Sequence, residues 1–242
     1  RGYLIAMALF FGIAGARVAG LDESGFATGV VLALVILTAF AGGYVFKGKS
    51  GWCSSICPLF PLQRAYGQTP FVTVPNSHCP SCVGCAKNCY DFNPNVAYLA
   101  DLHDDDRHYS AYRKFFVGAF PGIIYAYFQA SGSTPTLYLQ FLLCAMASAG
   151  TFFLLDAFVK VSANRITALY GAAALNLFYW YGIKVVLGPS APDAVVWGFR
   201  VVLFAATAVW VLRTWRKESR FVGEALARKP PTIGSAAGAA LD

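Results

Sequence analysis

The sequence predicts an all-α polytopic membrane protein of about six transmembrane helices with a small cysteine-rich cytoplasmic insertion. Three observations carry this expectation. The 242 residues are 57% hydrophobic and only 13% charged, against about 25% charged in an average soluble domain. The apolar residues collect in runs nearly free of charge, and six of the seven cysteines fall in one polar connection between two such runs.

Helices need about 20 apolar residues to cross the roughly 30 Å hydrocarbon layer. Runs of this kind occupy approximately 2–20, 26–46, 115–130, 137–161, 165–188 and 192–213. The third is the shortest and is interrupted by Pro121 and Gly122, so it is expected either to span with help from its neighbours or to be re-entrant. Four regions result: 1–46 with two transmembrane helices, 47–114 as the cytoplasmic cysteine-rich segment, 115–213 with four transmembrane helices, and 214–242 as a flexible cytoplasmic tail. Arg1 in place of Met points to a processed or trimmed N-terminus and supports no targeting inference.

Charge sets the orientation. The net charge of +7 comes without any soluble recognition element, so no nucleic-acid partner is expected. The Lys and Arg residues instead cluster in or beside 47–114, 162–164 and the tail, whereas the opposite turns at 21–25, 131–136 and 188–192 carry none. By the positive-inside rule the insertion and both termini face the cytoplasm, which places the chain as a multi-pass protein of a bacterial inner (cytoplasmic) membrane in contact with lipid.

The insertion holds the chemistry. Cys79, Cys82, Cys85 and Cys89 form a C-x2-C-x2-C-x3-C run, the spacing with which thiolates wrap a [4Fe-4S] cubane when small residues such as Ser81, Gly84 and Ala86 keep the loop tight. In two-cluster ferredoxins the fourth cysteine of such a run serves the other cluster. Cys53 and Cys57, followed by Pro58, read as the last two positions of a second run. Two assignments stay open. In the crossed one, Cys57 joins Cys79, Cys82 and Cys85, leaving Cys53 and Cys89 at a second site short of ligands. That site is lost, completed by a partner chain, or completed by His78, His103, His108 or Asp91. In the simpler one, Cys79, Cys82, Cys85 and Cys89 hold a single cluster. Structural zinc fits less well, because zinc modules present separated knuckles, and disulfides are disfavoured in a reducing cytoplasm. Cys144, inside an apolar run, reads as a small packing residue.

The stretch Gly51-Trp52-Cys53-Ser54-Ser55-Ile56-Cys57-Pro58-Leu59, with the second cysteine run behind it, resembles the membrane polyferredoxin group. That group includes the nitrous oxide reductase regulator, the quinol-oxidising subunit of periplasmic nitrate reductase and the iron-sulfur accessory protein of cbb3 oxidase assembly. The resemblance covers roughly residues 26–115 and implies a ferredoxin-like insertion with clusters on the cytoplasmic side. The chain departs from the group in having six eligible cysteines and Tyr90-Asp91 in place of Pro after Cys89.

All three histidines lie in the insertion, so the helices offer no axial haem ligand. A cluster on one face cannot carry electrons across the bilayer unaided. Exchange is therefore expected to be lateral, between a cytoplasmic-side redox partner and quinone or another subunit of a redox complex. The protein is then an electron-transfer component rather than a self-contained catalyst. The alternative is an accessory or assembly subunit of a larger membrane complex with a structural cluster.

Four ionisable residues fall in the runs. Asp156 is expected to pair with Lys160 one turn on, or to accept a proton from a quinol. Arg17, Lys184 and Arg200 are expected to snorkel to headgroups or to hold an anionic ligand. The run Phe178-Tyr179-Trp180-Tyr181 suits packing or a quinone ring, and Asp104-Asp105-Asp106 suits a solvated loop or the docking of a basic partner.

Overall fold

The computed structural model describes residues 2–18, 20–45, 52, 56–67, 69, 71 and 107–227. Among the described residues the protein is all-helical, with seven α-helices and no strand. They are α1 (Gly2–Val18), α2 (Gly25–Val45), α3 (Phe60–Tyr66), α4 (Arg107–Gln129), α5 (Thr134–Phe158), α6 (Ala163–Leu187) and α7 (Asp193–Ala227), with a 3-10 turn at Leu21–Glu23 before α2.

Three of these are long and apolar enough to cross a membrane: α2, α5 and the stretch Asp193–Arg220 of α7. The chain therefore has the character of a membrane protein. The other three predicted runs also fall on helices, but α1 has 17 residues, and α4 and α6 carry more polar and small residues than a lipid-facing span. Helix ends follow local chemistry. Ser162 caps α6 by accepting from the Arg165 N–H at 3.3 Å, and Pro135 sits in the first turn of α5, where its missing N–H costs nothing. Gly188 ends α6 at φ +93°, a conformation that strains any residue with a Cβ.

The hub is α4, the run interrupted by Pro121 and Gly122. It is one continuous helix. Its Phe116, Val117 and Ala119 have no solvent exposure, and it packs against α5 and α6, with α1 and α3 laid against its first half. Glycine makes the α4–α5 approach close. A Cβ on Gly122 would overlap the Cys144 carbonyl group, whose carbon would stand 2.6 Å away, and one on Gly118 would stand 2.7 Å from the Phe152 Cβ. This is the small-residue packing that lets helices in lipid gain dispersion and short polar contacts. One such contact is the hydroxyl of Ser148, which donates to the Gly118 carbonyl at 2.6 Å. Cys144 is half-buried beside this contact, as a packing residue should be.

Around the first half of α4 the core is aromatic. Phe116 and Phe120 stack at 5.7 Å, and Phe10 meets Phe116 edge-on at 5.1 Å. Tyr3 of α1 meets Phe60 of α3 at 5.7 Å. By contrast, among the described residues α2 packs appreciably only on the 3-10 turn that precedes it, and Gly42 is its one buried residue.

Candidate functional site

Of the six cysteines in the insertion, Cys57 lies within the described residues; Cys53, Cys79, Cys82, Cys85 and Cys89 lie outside them, as do Asp91, Asp104, Asp105, Asp106, His78 and His103. His108 falls in the first turn of α4. Among the described residues no three His, Cys, Asp or Glu side chains group around a metal-sized site.

The surroundings of Cys57 are built from the sequence upward. The N–H groups of Ile56 and Cys57 both donate to the Trp52 carbonyl, at 3.3 and 3.2 Å, closing a turn around the C-x3-C-Pro element. The Cys57 carbonyl then accepts from Phe60 N–H at 2.9 Å, so the cysteine leads directly into α3. Proline at the second position of α3 suits a helix start. Cys57 is a half-buried free thiol packed against the aromatic cluster of Tyr3, Phe60 and Phe116. A free, half-buried thiol at the edge of an apolar core fits a cluster ligand, because burial and exclusion of water are among the means by which proteins tune such centres.

What fixes α3 is Tyr66. Pro121 has no N–H to donate to the Val117 carbonyl one turn earlier in α4, and the Tyr66 hydroxyl donates to that same oxygen at 3.2 Å. The Tyr66 ring lies against Phe120 at 5.7 Å and over Gly171 of α6, where a Cβ would come within 2.5 Å of it. Burial, reinforced by Tyr3 and Tyr170, holds the Tyr66 phenol well above its ordinary range, so it stays a protonated donor. Two further contacts tie the chain beyond α3 to α7. Thr69 and Thr214 share a hydroxyl hydrogen bond, and Arg213 stands over the Phe71 ring at 5.2 Å. No local pattern in the sequence marks Tyr66, because its partner Val117 lies 51 residues away.

Beside Tyr66 lies a cavity of about 620 Å³ between α3, α4, α6 and α7. Its walls are apolar and aromatic, with Tyr66, Thr69, Tyr179 and Thr207 as hydroxyl-bearing members, and Phe178 and Tyr179 line its far end. A second cavity of about 320 Å³ lies on the other side of Phe120 and Ile124, between α1 and α4, with Arg17 and Tyr127 among its lining residues. The aromatic run of α6 is thus divided. Phe178 and Tyr179 face the larger cavity, Trp180 lies under Arg200, and Tyr181 stacks on Phe128 at 5.6 Å.

The charged residues of the apolar runs meet local partners, and for Asp156 the partner is not the expected one. Asp156 does not pair with Lys160. Helix α5 ends at Phe158 and the chain turns extended at Val159, which removes the i,i+4 geometry, and Asp156 instead accepts from Lys114 of α4 at 2.6 Å. Lys184 lies 3.7 Å from Asp193 across the α6–α7 turn. Arg200 donates to the Trp180 carbonyl at 2.7 Å and is flanked by the rings of Trp180 and Trp197, at 4.1 and 5.0 Å. Arg17 stands over the Tyr127 ring at 5.4 Å. Each of these has a local structural use. At the end of the bundle that carries Lys114 and Asp156, Arg113 bonds Asn164, while Arg165 lies 3.5 Å from Glu218 and donates to Ser219 at 2.6 Å, binding the start of α6 to the long extension of α7.

The arrangement is therefore a cysteine-bearing segment keyed into a helical bundle beside an apolar cavity, and it matches no family model, no curated protein and no solved structure.

Proposed function

We propose that the chain is a membrane-bound [4Fe-4S] electron-transfer protein or subunit that relays electrons between a cytoplasmic-side redox partner and quinone or a membrane partner. The observation that carries this reading is the seat of Cys57, a free thiol against the aromatic core, leading straight into a helix that Tyr66 locks to the bundle. The C-x2-C-x2-C-x3-C run supplies the remaining ligands. Cys79, Cys82 and Cys85 with Cys57 would hold one cluster, leaving Cys53 and Cys89 for a second site, or the four of the later run would hold it alone. A [4Fe-4S] cluster supplies reversible one-electron transfer. The chain's own residues hold it, exclude water from one side through Tyr3, Phe60 and Phe116, and fix its distance from the bundle through α3.

The six-span topology belongs to the same proposal, with 47–114 and both termini cytoplasmic in a bacterial inner membrane. Six helices cover the six apolar runs, and Lys114, Arg165, Arg213 and Arg216 fall on the sides of those runs that the charge pattern assigns to the cytoplasm. Helix α4, shielded by its neighbours, tolerates the glycines and proline that make it too polar for a lone span.

The test is EPR of the anaerobically purified protein, as isolated and after dithionite, with iron and acid-labile sulfide quantified. A reduced [4Fe-4S] signal with about four irons per cluster is expected; a colourless, sulfide-free preparation sinks the proposal in favour of zinc. Cys57→Ser then separates the ligand sets, since an unchanged spectrum and iron content make Cys89 the fourth ligand.

A second reading, an accessory or assembly subunit with a structural cluster, is favoured by one observation. Helix α2 presents apolar residues on every side, with Phe26 at 83% and Phe40 at 75% exposure, as a helix built to pack within a larger complex would. A cluster that holds one oxidation state through a full redox titration selects this reading over the first.

A further inference from the structure

The larger cavity lies outside any cysteine motif, and its chemistry is uniform. No Asp, Glu, Lys, Arg or His lines it among the described residues, so an ion entering would lose hydration with nothing to replace it. Three of its lining hydroxyls, those of Thr69, Thr207 and Tyr66, already have their protons committed. Thr207 donates to the Leu203 and Phe204 carbonyls of its own helix while accepting from Asn176. Thr214 donates to the Trp210 carbonyl, which leaves Thr69 to donate to Thr214. The Tyr66 proton goes to Val117. Ring faces, aliphatic groups and the Tyr179 phenol remain as the recognition surface, and a volume of about 620 Å³ lies within the range of small-molecule sites. Its wall includes the exposed residues Leu175 and Phe178, so it opens on the apolar flank of the bundle rather than on a charged surface.

One wall of this cavity is Tyr66, the residue whose hydroxyl ties α3 to the carbonyl left open by Pro121. An occupant that fills the cavity therefore touches the ring that positions the segment leading back to Cys57. We infer that the cavity binds an uncharged, ring-bearing, lipid-soluble molecule, and that its occupancy is reported to Cys57 through Tyr66 and α3. The binding half stands on the cavity; the reporting half rests on the cluster proposed above. Within that proposal a quinone is the redox-competent member of the class, and Tyr66 is a positioning residue, acting through α3 rather than on the cluster itself.

The test uses the purified full chain in phosphatidylcholine vesicles with 1-bromonaphthalene, an uncharged, redox-inert heavy-atom quencher. The emission of Trp210, which lines the cavity, is read as the difference between wild type and Trp210→Phe. Saturable quenching of that component is expected, with loss of saturation in Ala206→Phe, which fills the cavity from an exposed position, provided its melting curve is unaltered. Quenching that rises linearly and equally in both proteins overturns the binding half. So does saturable quenching by phosphatidylcholine brominated in its acyl chains that 1-bromonaphthalene does not displace, because the occupant is then a lipid tail. For the reporting half, saturating 1-bromonaphthalene is expected to shift the EPR spectrum of the reduced cluster in wild type and to lose that effect in Tyr66→Phe. An equal shift in both, or none in wild type, overturns it. A preparation without iron defeats the cluster proposal and the reporting half with it, while the quenching result still decides binding.

Discussion

Helices α2 and α4 invert the usual relation between apolar character and burial. Helix α2 is the most apolar of the spans, yet only 6% of its span is buried. Helix α4 contains Pro121, two glycines and a polar first turn, yet its Phe116, Val117 and Ala119 have no solvent exposure. The difference follows from the solvent. In lipid an apolar side chain gains little by leaving the surface, so burial goes to helices whose small residues permit close approach and whose polar atoms find partners. Hydropathy therefore measures how well a helix tolerates lipid, and glycine contacts measure how well it packs.

The largest expected effect breaks the hub. Gly122→Leu places a side chain where the Cys144 carbonyl carbon would stand 2.6 Å from its Cβ. Backbone cannot rotate away as a side chain can, so the cost should match or exceed the ~3 kcal/mol of severe overpacking. Loss of a cooperative melt in detergent, or failure to recover monodisperse protein, is the expected result. A melt within a degree of wild type would mean that α4 and α5 do not approach through this glycine.

Next comes the polar tie between the same two helices. Lys114 and Asp156 are each less than one-third exposed and 2.6 Å apart, so removing one leaves the other charge poorly solvated. Lys114→Met alone is expected to destabilise by roughly 2–4 kcal/mol, and the double change Lys114→Met with Asp156→Leu by less than the single. A thermodynamic cycle in one detergent measures both, and a double variant worse than the single contradicts the pairing.

The tie between the cysteine segment and the hub gives a smaller and more specific signature. Tyr66→Phe removes the donor to the Val117 carbonyl and should cost about 1 kcal/mol. Pro121→Ala restores a backbone N–H to that carbonyl, so Tyr66→Phe should cost less in its presence. Additive costs would show that Pro121 and Tyr66 act independently. The pH dependence carries the same information. The folded phenol titrates above its unfolded value near ~10, so the folded state holds its proton more tightly. Stability from Tyr66 is complete below that value and is lost as pH rises toward the folded one. The alkaline slope of stability should be shallower in Tyr66→Phe than in wild type, and identical slopes would show that the buried phenol is not what responds to alkali.

How much of this was legible in the sequence differs by element. The apolar runs locate helices well, because charge-free stretches have few alternatives in lipid. Their ends were less legible: α7 continues to Ala227, past the apolar limit near 213, because Glu218 and Ser219 have Arg165 to meet. The Asp156–Lys160 pairing failed because spacing alone cannot show that the helix stops at Phe158. Cys57 was legible from its motif, whereas the cavity and the Tyr66 tie were not. Both arise from residues far apart in sequence, Tyr66 with Val117 and Gly171, and no local pattern announces a carbonyl released by one residue and capped by another. The ligand assignment rests on residues outside those described and stays where the spacing leaves it.

The smallest effect tests the lipid-facing side of the comparison. Gly29 and Gly43 of α2 have open space around them, with nothing within 4 Å of where a Cβ would stand, so alanine there adds a methyl group without a clash. Gly43→Ala in the isolated chain should stabilise by up to about 1 kcal/mol through helix propensity alone, opposite in sign to Gly122→Leu. The same substitution also tests the docking of α2 on which the second reading rests. If α2 faces lipid, the variant behaves alike when purified and in its native membrane. If α2 packs on another subunit through its small residues, the methyl group intrudes on that contact, and the variant will be stable alone yet deficient in co-purifying its complex. Apolar surface on α2 would then be the counterpart of the glycines on α4: one helix packs within the chain, and the other waits for a neighbour outside it.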